Sequence, residues 1–409
     1  MPQSGRPPLD GMRILDLSRV IAGPACTQQL ADMGADVIKI EAPGIGDDVR
    51  QSKPPAAGDE AHFFLAFNRN KRSVALDIRT DEGKDIFHRL AEQSDVVIQN
   101  FRPGVMARFG LDYDRLKERH PHLIYVSISA YGQSGPSSDR PGFDPVLQAE
   151  SGMMSINGDP EGPPTRHPLS IIDTMTAGHA TAAILAALHA RRDTGHGQHI
   201  DLALFDVAIA ALGNAAMFYL TSGRLPPRTG NAHMTSVPVN VFQTKTGPIY
   251  MAVGNNRLFG RLCREVLDRP DIPEDPRFAT PGDRHRNRDA LYAILTEIFE
   301  SETRDHWMER MRHLPAGPVR TIAEALASED VRYRRMRNTV PHPTAGEVSL
   351  LGSVYKFSDT PVRDPVAPPL LGQHTREVLT ELVGLDTATL ERLESEGTVG
   401  ASPSASSDG

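Results

Sequence analysis

The 409-residue sequence has only two cysteines, Cys26 and Cys263, far apart and outside any C-x-x-C spacing. A disulfide framework or a thiolate zinc site needs clustered cysteines, so both are excluded and a reducing compartment, the cytoplasm, is expected. Apolar runs long enough to span a bilayer are missing, and the opening "MPQSGRPPLDG" lacks the apolar centre of a signal peptide, so no membrane association or secretion is expected. No stripe of one charge exists either. The 44 basic and 52 acidic residues are scattered, for a net charge of −8, which offers nucleic acid no surface. Among the histidines near the motifs below, His167, His179, His196, His199 and His233, no pair stands at i, i+4 with a third ligand in view, so no metal is expected.

What is present begins with alternation. "MRILDLS", "ADVIKIE", "DVVIQNF" and "LIYVSIS" read as strands, with "PACTQQLADMG" and "GKDIFHRLAEQ" as helices between them. Strands linked by helices predict an α/β fold with a parallel sheet, whose ligands lie beyond the carboxyl ends of the strands. Further on, "QHIDLALFDVAIAALGNAAMFYLTSG" predicts a short strand and one long apolar helix. "VNVFQTKTGPIYMAVG" predicts a hairpin, and "ALYAILTEIFES" and "RDHWMERMRHL" predict helices; residues 225–320 thus form a smaller α+β domain. "GEVSLLGSVYKFSDTP" and "PPLLGQHTREVLTELVG" add strands, a Pro-rich crossover and a helix. The Ser/Gly-rich end, 399–409, is expected to be disordered.

Two readings of the first turn and of one acid need weighing. Glu41 ends the second strand where a ribose-binding acid would sit, but "LSRVIAGPACTQ" lacks G-x-G-x-x-G, which argues against a dinucleotide oxidoreductase. Asp173, in "PLSIIDTMTAGHA", precedes a helical run to Arg192 that stops at Gly195. Its position suits an N-cap, in which the carboxylate accepts the free N–H groups of the first turn.

Seven stretches in order resemble the class III coenzyme A transferases, the CaiB/BaiF group that includes formyl-CoA transferase, carnitine CoA-transferase and α-methylacyl-CoA racemase. They are "VIAGPACTQQLADMGADVIKIE", "NRNKRSVALDIRT", "DVVIQNFRPGVMARFGL", "YVSISAYGQSGP", "IIDTMTAG", "TGHGQHIDLALFD" and "LLGQHTREVL". The resemblance implies a Rossmann-like large domain built from both chain ends, 1–220 and 325–398, an inserted small domain, and an interlocked homodimer. It implies that Asp173 is a nucleophile that exchanges CoA between an acyl-CoA and a small carboxylic acid, through an aspartyl anhydride and an aspartyl-CoA thioester. CoA is then a substrate; no resident cofactor and no metal are implied. Val20, Ile21 and Ala22 match positions that line CoA, as do Leu76 and Arg79 of "LDIR", with Arg72 as a further or alternative cation. Asn100, Phe101, Arg102 and Arg108 match CoA-contacting positions, and Phe143 and Asp144 of "RPGFDPV" belong to the same set. Arginine suits phosphate because its planar fork binds two oxygens.

Departures from the family pattern narrow the activity. The glycine-rich loop of formyl-CoA transferases has no counterpart in "TGNAHMTSVPVN", which counts against oxalate and formate chemistry; the stretch is more similar to members acting on succinate-type dicarboxylates. Ala42 replaces the family's adenine-adjacent arginine. Racemases of the group place a histidine where this chain has Phe143, and a phenyl ring cannot carry a proton; its apolar ring is expected instead to keep water from the intermediates. The remaining alternative, a non-catalytic acyl-CoA-binding protein, has no need of a carboxylate at Asp173.

Overall fold

The computed structural model describes residues 5–400, which gather into two compact units. The larger contains 5–151, 168–213 and 329–400, and the smaller contains 152–167 and 214–328. The segment 152–167, assigned on sequence to the large domain, belongs with the smaller unit.

The larger unit is built on six parallel strands: β1 (Arg13–Asp16), β2 (Asp36–Glu41), β3 (Lys71–Ala75), β4 (Val96–Gln99), β5 (Ile124–Ser129) and β6 (His199–Ala203). Their spatial order is β3-β2-β1-β4-β5-β6, so the chain reverses direction across the sheet between β1 and β4. Loops leaving neighbouring strands diverge at such a switch point and open a crevice at the carboxyl ends. The central strands are buried on both faces, as parallel strands sandwiched by helices must be. On one face, Leu15, Ile38, Val74 and Val97 share a core with Ile86, Phe87 and Leu90 of the helix Asp81–Glu92 and with Val378, Leu379 and Leu393 from the chain's last two helices.

The chain end closes the exposed edge of β3. Thr375 Oγ1 accepts the Ala75 N–H at 3.0 Å, Gly400 N–H donates to the Ala75 carbonyl at 3.0 Å, and Val399 bridges Leu76. Pairing removes an edge that would otherwise invite association. Val399 and Gly400 are therefore docked rather than part of a disordered tail; 401–409 lie outside the described residues.

Ile171–Thr194 forms a 24-residue helix that packs on the helix Ala22–Asp32 through Ala177, Ala180, Thr181, Ile184 and Ala187. Small side chains let the two backbones approach. By length and mean hydropathy alone the helix could cross a bilayer, although polar residues such as Asp173, Thr176, His179 and Thr181 interrupt it; here its apolar residues serve as core. A further correction concerns the long helix expected after β6. It is two, Leu204–Ala211 and Gly213–Ser222, interrupted at Leu212 and Gly213. Gly213 has φ +43°, a backbone region that interrupts a right-handed helix and that glycine enters without steric cost.

The smaller unit holds the antiparallel strands Val239–Phe242, Ile249–Ala252 and Ala316–Pro318, covered by helices that include Arg288–Glu300 and Arg304–Arg310. Phe242, Phe259, Leu291, Leu295, Phe299 and Trp307 form its core. In the larger unit, Gly346–Leu351 pairs with Arg337–His342, a strand that sequence periodicity did not reveal.

Candidate active site

The switch-point crevice holds a cavity of about 340 Å³, walled by Arg19, Val20, Ile21 and Ala22 after β1 and by Asn100, Phe101 and Arg102 after β4. Ile128, Ser129 and Ala130 at the end of β5, with Asp48, Gly142, Phe143, Leu204 and Asp173, complete it. A second cavity of about 320 Å³ shares Arg19 and Phe101 as its wall and continues along Leu17, Ile40, Glu41, Ala42, Leu76, Ile78 and Arg79.

The β1 turn is held in a strained shape. Val20 has φ +70°, a left-handed conformation that a β-branched residue rarely adopts and that costs about 1–3 kcal/mol. Its neighbours pin it. Asn100 Oδ1 accepts the Arg19 N–H at 2.8 Å, while Asn100 Nδ2 donates to the Arg19 carbonyl at 2.8 Å, joining the two sides of the crevice. Val20 N–H donates to Asp47 Oδ1 at 3.1 Å, and Lys39 Nζ donates to the Ser18 carbonyl at 2.8 Å. Lys39 and Asp47 are themselves a buried ion pair at 2.9 Å. Asp16, below them, pairs with Lys71 at 3.0 Å; burial opposes its charge, yet Lys71 and Lys39 hold it down at about 2. The glycine after the turn is required by close packing, because a Cβ on Gly23 would lie 2.2 Å from Ser18 Cβ.

The turn delivers Ile21 and Ala22 to the start of the helix Ala22–Asp32, whose first turn has no side-chain cap. Free N–H groups and the positive end of the helix thus face the cavity, favouring a carbonyl oxygen or an anion there. Arg19 stands beside them, its guanidinium 4.9 Å from the Phe101 ring centre and 3.7 Å from Asp48.

Asp173 lies in the first turn of Ile171–Thr194 and is not its N-cap, which is Ser170. The capping acid is Asp144, brought from the helix Asp144–Glu150: its Oδ2 accepts the N–H groups of Ile172 at 2.7 Å and Asp173 at 3.2 Å. Its Oδ1 accepts Gln148 Nε2 at 2.6 Å. Asp144 is therefore buried and occupied in holding the helix, rather than exposed on the cavity wall as a CoA ligand would be. The Asp173 carboxylate accepts no hydrogen bond from any described residue. Burial, and then the Asp144 charge, push its pKa up to about 7.

The other sequence-selected residues divide. Val20, Ile21, Ala22, Asn100, Phe101, Arg102 and Phe143 meet around Asp173, and Leu76 and Arg79 line the adjoining cavity. Arg79 is already gripped by Asp77, at 2.8 and 2.7 Å from its Nε and Nη2. Arg72 lies in neither cavity. It is bound by Asp36 at 2.7 Å, Glu381 at 2.8 Å and Glu377 at 3.1 Å, a structural ion-pair cluster tying β2 and β3 to the C-terminal helix Thr375–Val383. Arg108 is exposed on the short helix Val105–Phe109, outside both walls. Phe143 is 68% exposed, so in the single chain it does not exclude water as its apolar character suggested. Sequence reasoning missed Arg19, Asp48 and Ser129. Ser129 lines the cavity, and its Oγ is itself buried with no hydrogen-bond partner among the described residues.

Among the described residues no cluster of His, Cys, Asp and Glu is arranged to hold a metal. The chain matches CoA-transferase family III over residues 9–375. It is 42% identical over 394 residues to the succinate–glutarate CoA-transferase of Agrobacterium fabrum, covering 94% of this chain and 98% of that one. The succinyl-CoA:glutarate CoA-transferase of Homo sapiens is 39% identical over 394 residues, covering 96% and 90%. A crystal structure of a CaiB/BaiF family protein from Brucella suis superposes with a TM-score of 0.83 at 38% identity, over 92% of this chain and all of the other. With the crevice, the unengaged carboxylate and the match all but end to end, the chain belongs to CoA-transferase family III.

Proposed function

We propose that this enzyme transfers CoA between succinate-type dicarboxylic acids, with Asp173 as the covalent nucleophile. The observation that carries the reading is the division of labour between two acids. Asp144 caps the helix, so Asp173 has no structural hydrogen bond to keep and its carboxylate opens on the cavity.

In this reading Asp173 attacks the thioester carbonyl and CoA thiolate leaves, giving an acyl–aspartyl anhydride. The thiolate then attacks the aspartyl carbonyl, the first acid departs, and the aspartyl-CoA thioester passes CoA to the second acid by the same steps reversed. Each step exchanges one acyl bond for another, so neither ATP nor a metal enters. The uncapped helix start at Ile21 and Ala22 supports the oxyanion of each tetrahedral intermediate. The adjoining cavity, walled by Leu17, Ile40 and Leu76 with Arg79 at its edge, suits the adenosine end of CoA. The names of the Agrobacterium and human relatives support succinate and glutarate as the acids. Phe143 in place of a proton-carrying side chain supports transfer over racemisation.

A homodimer fits the helix Gly213–Ser222, on which no residue is buried and Met217, Tyr219 and Leu220 are 57%, 49% and 72% exposed. The two free, buried cysteines agree with the cytoplasm as the compartment.

The test is intact-mass spectrometry of the enzyme mixed with succinyl-CoA and a panel of succinate, glutarate, mesaconate, oxalate and formate. The expected result is a CoA adduct on Asp173, discharged fastest by the five- and four-carbon dicarboxylates. An adduct on another residue removes the nucleophile assignment, and discharge by oxalate or formate alone removes the substrate class.

A further inference from the structure

We propose that a groove on the larger unit, lined by residues from 333–338, 353–357 and 361–365, is a second ligand site that takes a nucleoside polyphosphate. The groove encloses about 470 Å³ and shares no lining residue with the two cavities of the reaction crevice.

Its charge is one-sided. Arg334, Arg335, Lys356 and Arg363 line it against a single carboxylate, Asp364. Arg335 pairs with Asp364 at 3.2 Å, whereas Arg334, Lys356 and Arg363 form no ion pair among the described residues. Elsewhere on this acidic chain, arginines such as Arg13, Arg72, Arg79, Arg140, Arg191 and Arg392 find carboxylates within 3 Å. Cations gathered without a partner repel one another, and an anion among them relieves that repulsion. Lys356 shows the effect: burial, with Arg334 and Arg335 beside it, holds its pKa below the usual lysine value. Among the described residues its Nζ has only the Ser353 carbonyl, at 2.6 Å, as hydrogen-bond partner.

The same groove carries an aromatic surface. The Tyr355 and Phe357 rings lie parallel, 8° apart in tilt and 6.1 Å between centres. Tyr355 is anchored by its OH, which donates to Gln29 Oε1 at 2.7 Å, leaving the Phe357 face 41% exposed beside Tyr333. An aromatic platform next to guanidinium and ammonium groups matches a base joined to phosphates: the base stacks, and the phosphates take bidentate bonds from arginine. A lone phosphate would leave the platform unused, and a neutral aromatic would leave the cations uncompensated.

The test is isothermal titration of the full chain with ATP, tripolyphosphate and adenosine, each with and without saturating CoA. Saturating CoA blocks the reaction crevice, so binding that survives it reports the groove. The expected result is one ATP per chain with CoA present, at least about tenfold tighter than tripolyphosphate or adenosine, and weakening as salt rises. Arg334→Ala with Lys356→Ala should weaken ATP by about tenfold or more and leave CoA affinity unchanged, since both side chains are exposed and remote from the crevice walls. ATP binding abolished by CoA, or unaltered in the double variant, would overturn the site. Tripolyphosphate binding as tightly as ATP would overturn the nucleoside assignment.

Discussion

The carboxylate of Asp144 reaches across from its own helix and grips the N–H groups of Ile172 and Asp173, at 2.7 and 3.2 Å. One acid thereby fixes the backbone of the other and places a negative charge against it. With burial, that charge raises the Asp173 pKa to about 7, which leaves a more basic and more reactive carboxylate once it ionises.

Activity should therefore follow the ionisation of Asp173. The expected kcat/KM for acyl-CoA rises with pH to a plateau, with a midpoint near 7. Asp144→Asn keeps an oxygen for the helix and removes the charge, so the midpoint should move down by roughly one unit. A pH–rate profile of the two proteins checks this; an unmoved midpoint would mean that Asp144 does not act on Asp173 electrostatically.

Stability supplies a second measurement with a definite sign. The folded Asp173 titrates at about 7 against the ordinary value of 3.8, so between those values the folded state holds a proton that the unfolded chain releases. Its stabilising contribution is fully present below about pH 4, declines as pH rises to about 7, and is absent above. Asp173→Asn removes this loss. At pH 8 it should be more stable than the parent by about 2 kcal/mol after discounting for partial solvent screening, and nearly equal at pH 4. An N-cap role would give the opposite sign, a loss of about 1 kcal/mol. Turnover should fall by more than a hundredfold in the same variant, because the proposed nucleophile is gone.

The sheet was legible in the sequence where strands and helices alternate with strong apolar patterns, as in "MRILDLS" and "DVVIQNF". β3 was less so, because "KRSVA" begins with two cations; their partners, Asp16 for Lys71 and Asp36 for Arg72, lie 55 and 36 residues earlier. The cap at Asp173 was misread for the same reason. Local spacing made Asp173 the capping acid, while the actual one stands 29 residues before it. Residues of the crevice carried on the two strand-to-helix turns were found, since position at the carboxyl end of a strand is a local property. Arg19, beside Val20, and Ser129, at the end of β5, have that same local position and were legible by it; Asp48 reaches the cavity only through the fold's crossing of distant loops, and Arg72 was drawn away by acids that no local motif shows.

The two arginines on either side of that distinction should behave differently. Arg102 is exposed on the cavity wall, and Arg102→Ala should raise the KM for acyl-CoA about tenfold while kcat changes little, the mark of binding lost equally in ground and transition states. Arg72→Ala should leave that KM unchanged and lower stability by about 0.5–1 kcal/mol, because Glu377 and Glu381 are exposed and Asp36 keeps Arg13 at 2.8 Å. Steady-state kinetics beside denaturant unfolding separates the two effects; a raised KM in Arg72→Ala would return that residue to the CoA site.

Phe143 decides between exchange and racemisation. Inversion at an α-carbon needs one group to remove a proton and another to return it on the opposite face. Asp173 supplies one such group in the cavity, and the phenyl ring of Phe143 neither accepts nor donates. In deuterated water, a 2-methylacyl-CoA should therefore gain no deuterium at the α-carbon, while labelled succinate and unlabelled succinyl-CoA should yield labelled succinyl-CoA. Phe143 is also 68% exposed in the single chain, so protection of the proposed acyl–aspartyl anhydride from water has to come from whatever covers that ring during turnover. Bound substrate and a second chain are the two candidates, and they separate by concentration. If a second chain covers the ring, thioester hydrolysis without acceptor should rise as the enzyme is diluted below its dimer dissociation constant; if substrate covers it, the hydrolysis per chain should stay constant. Deuterium entering the α-carbon at a rate near turnover would overturn the assignment of transfer itself.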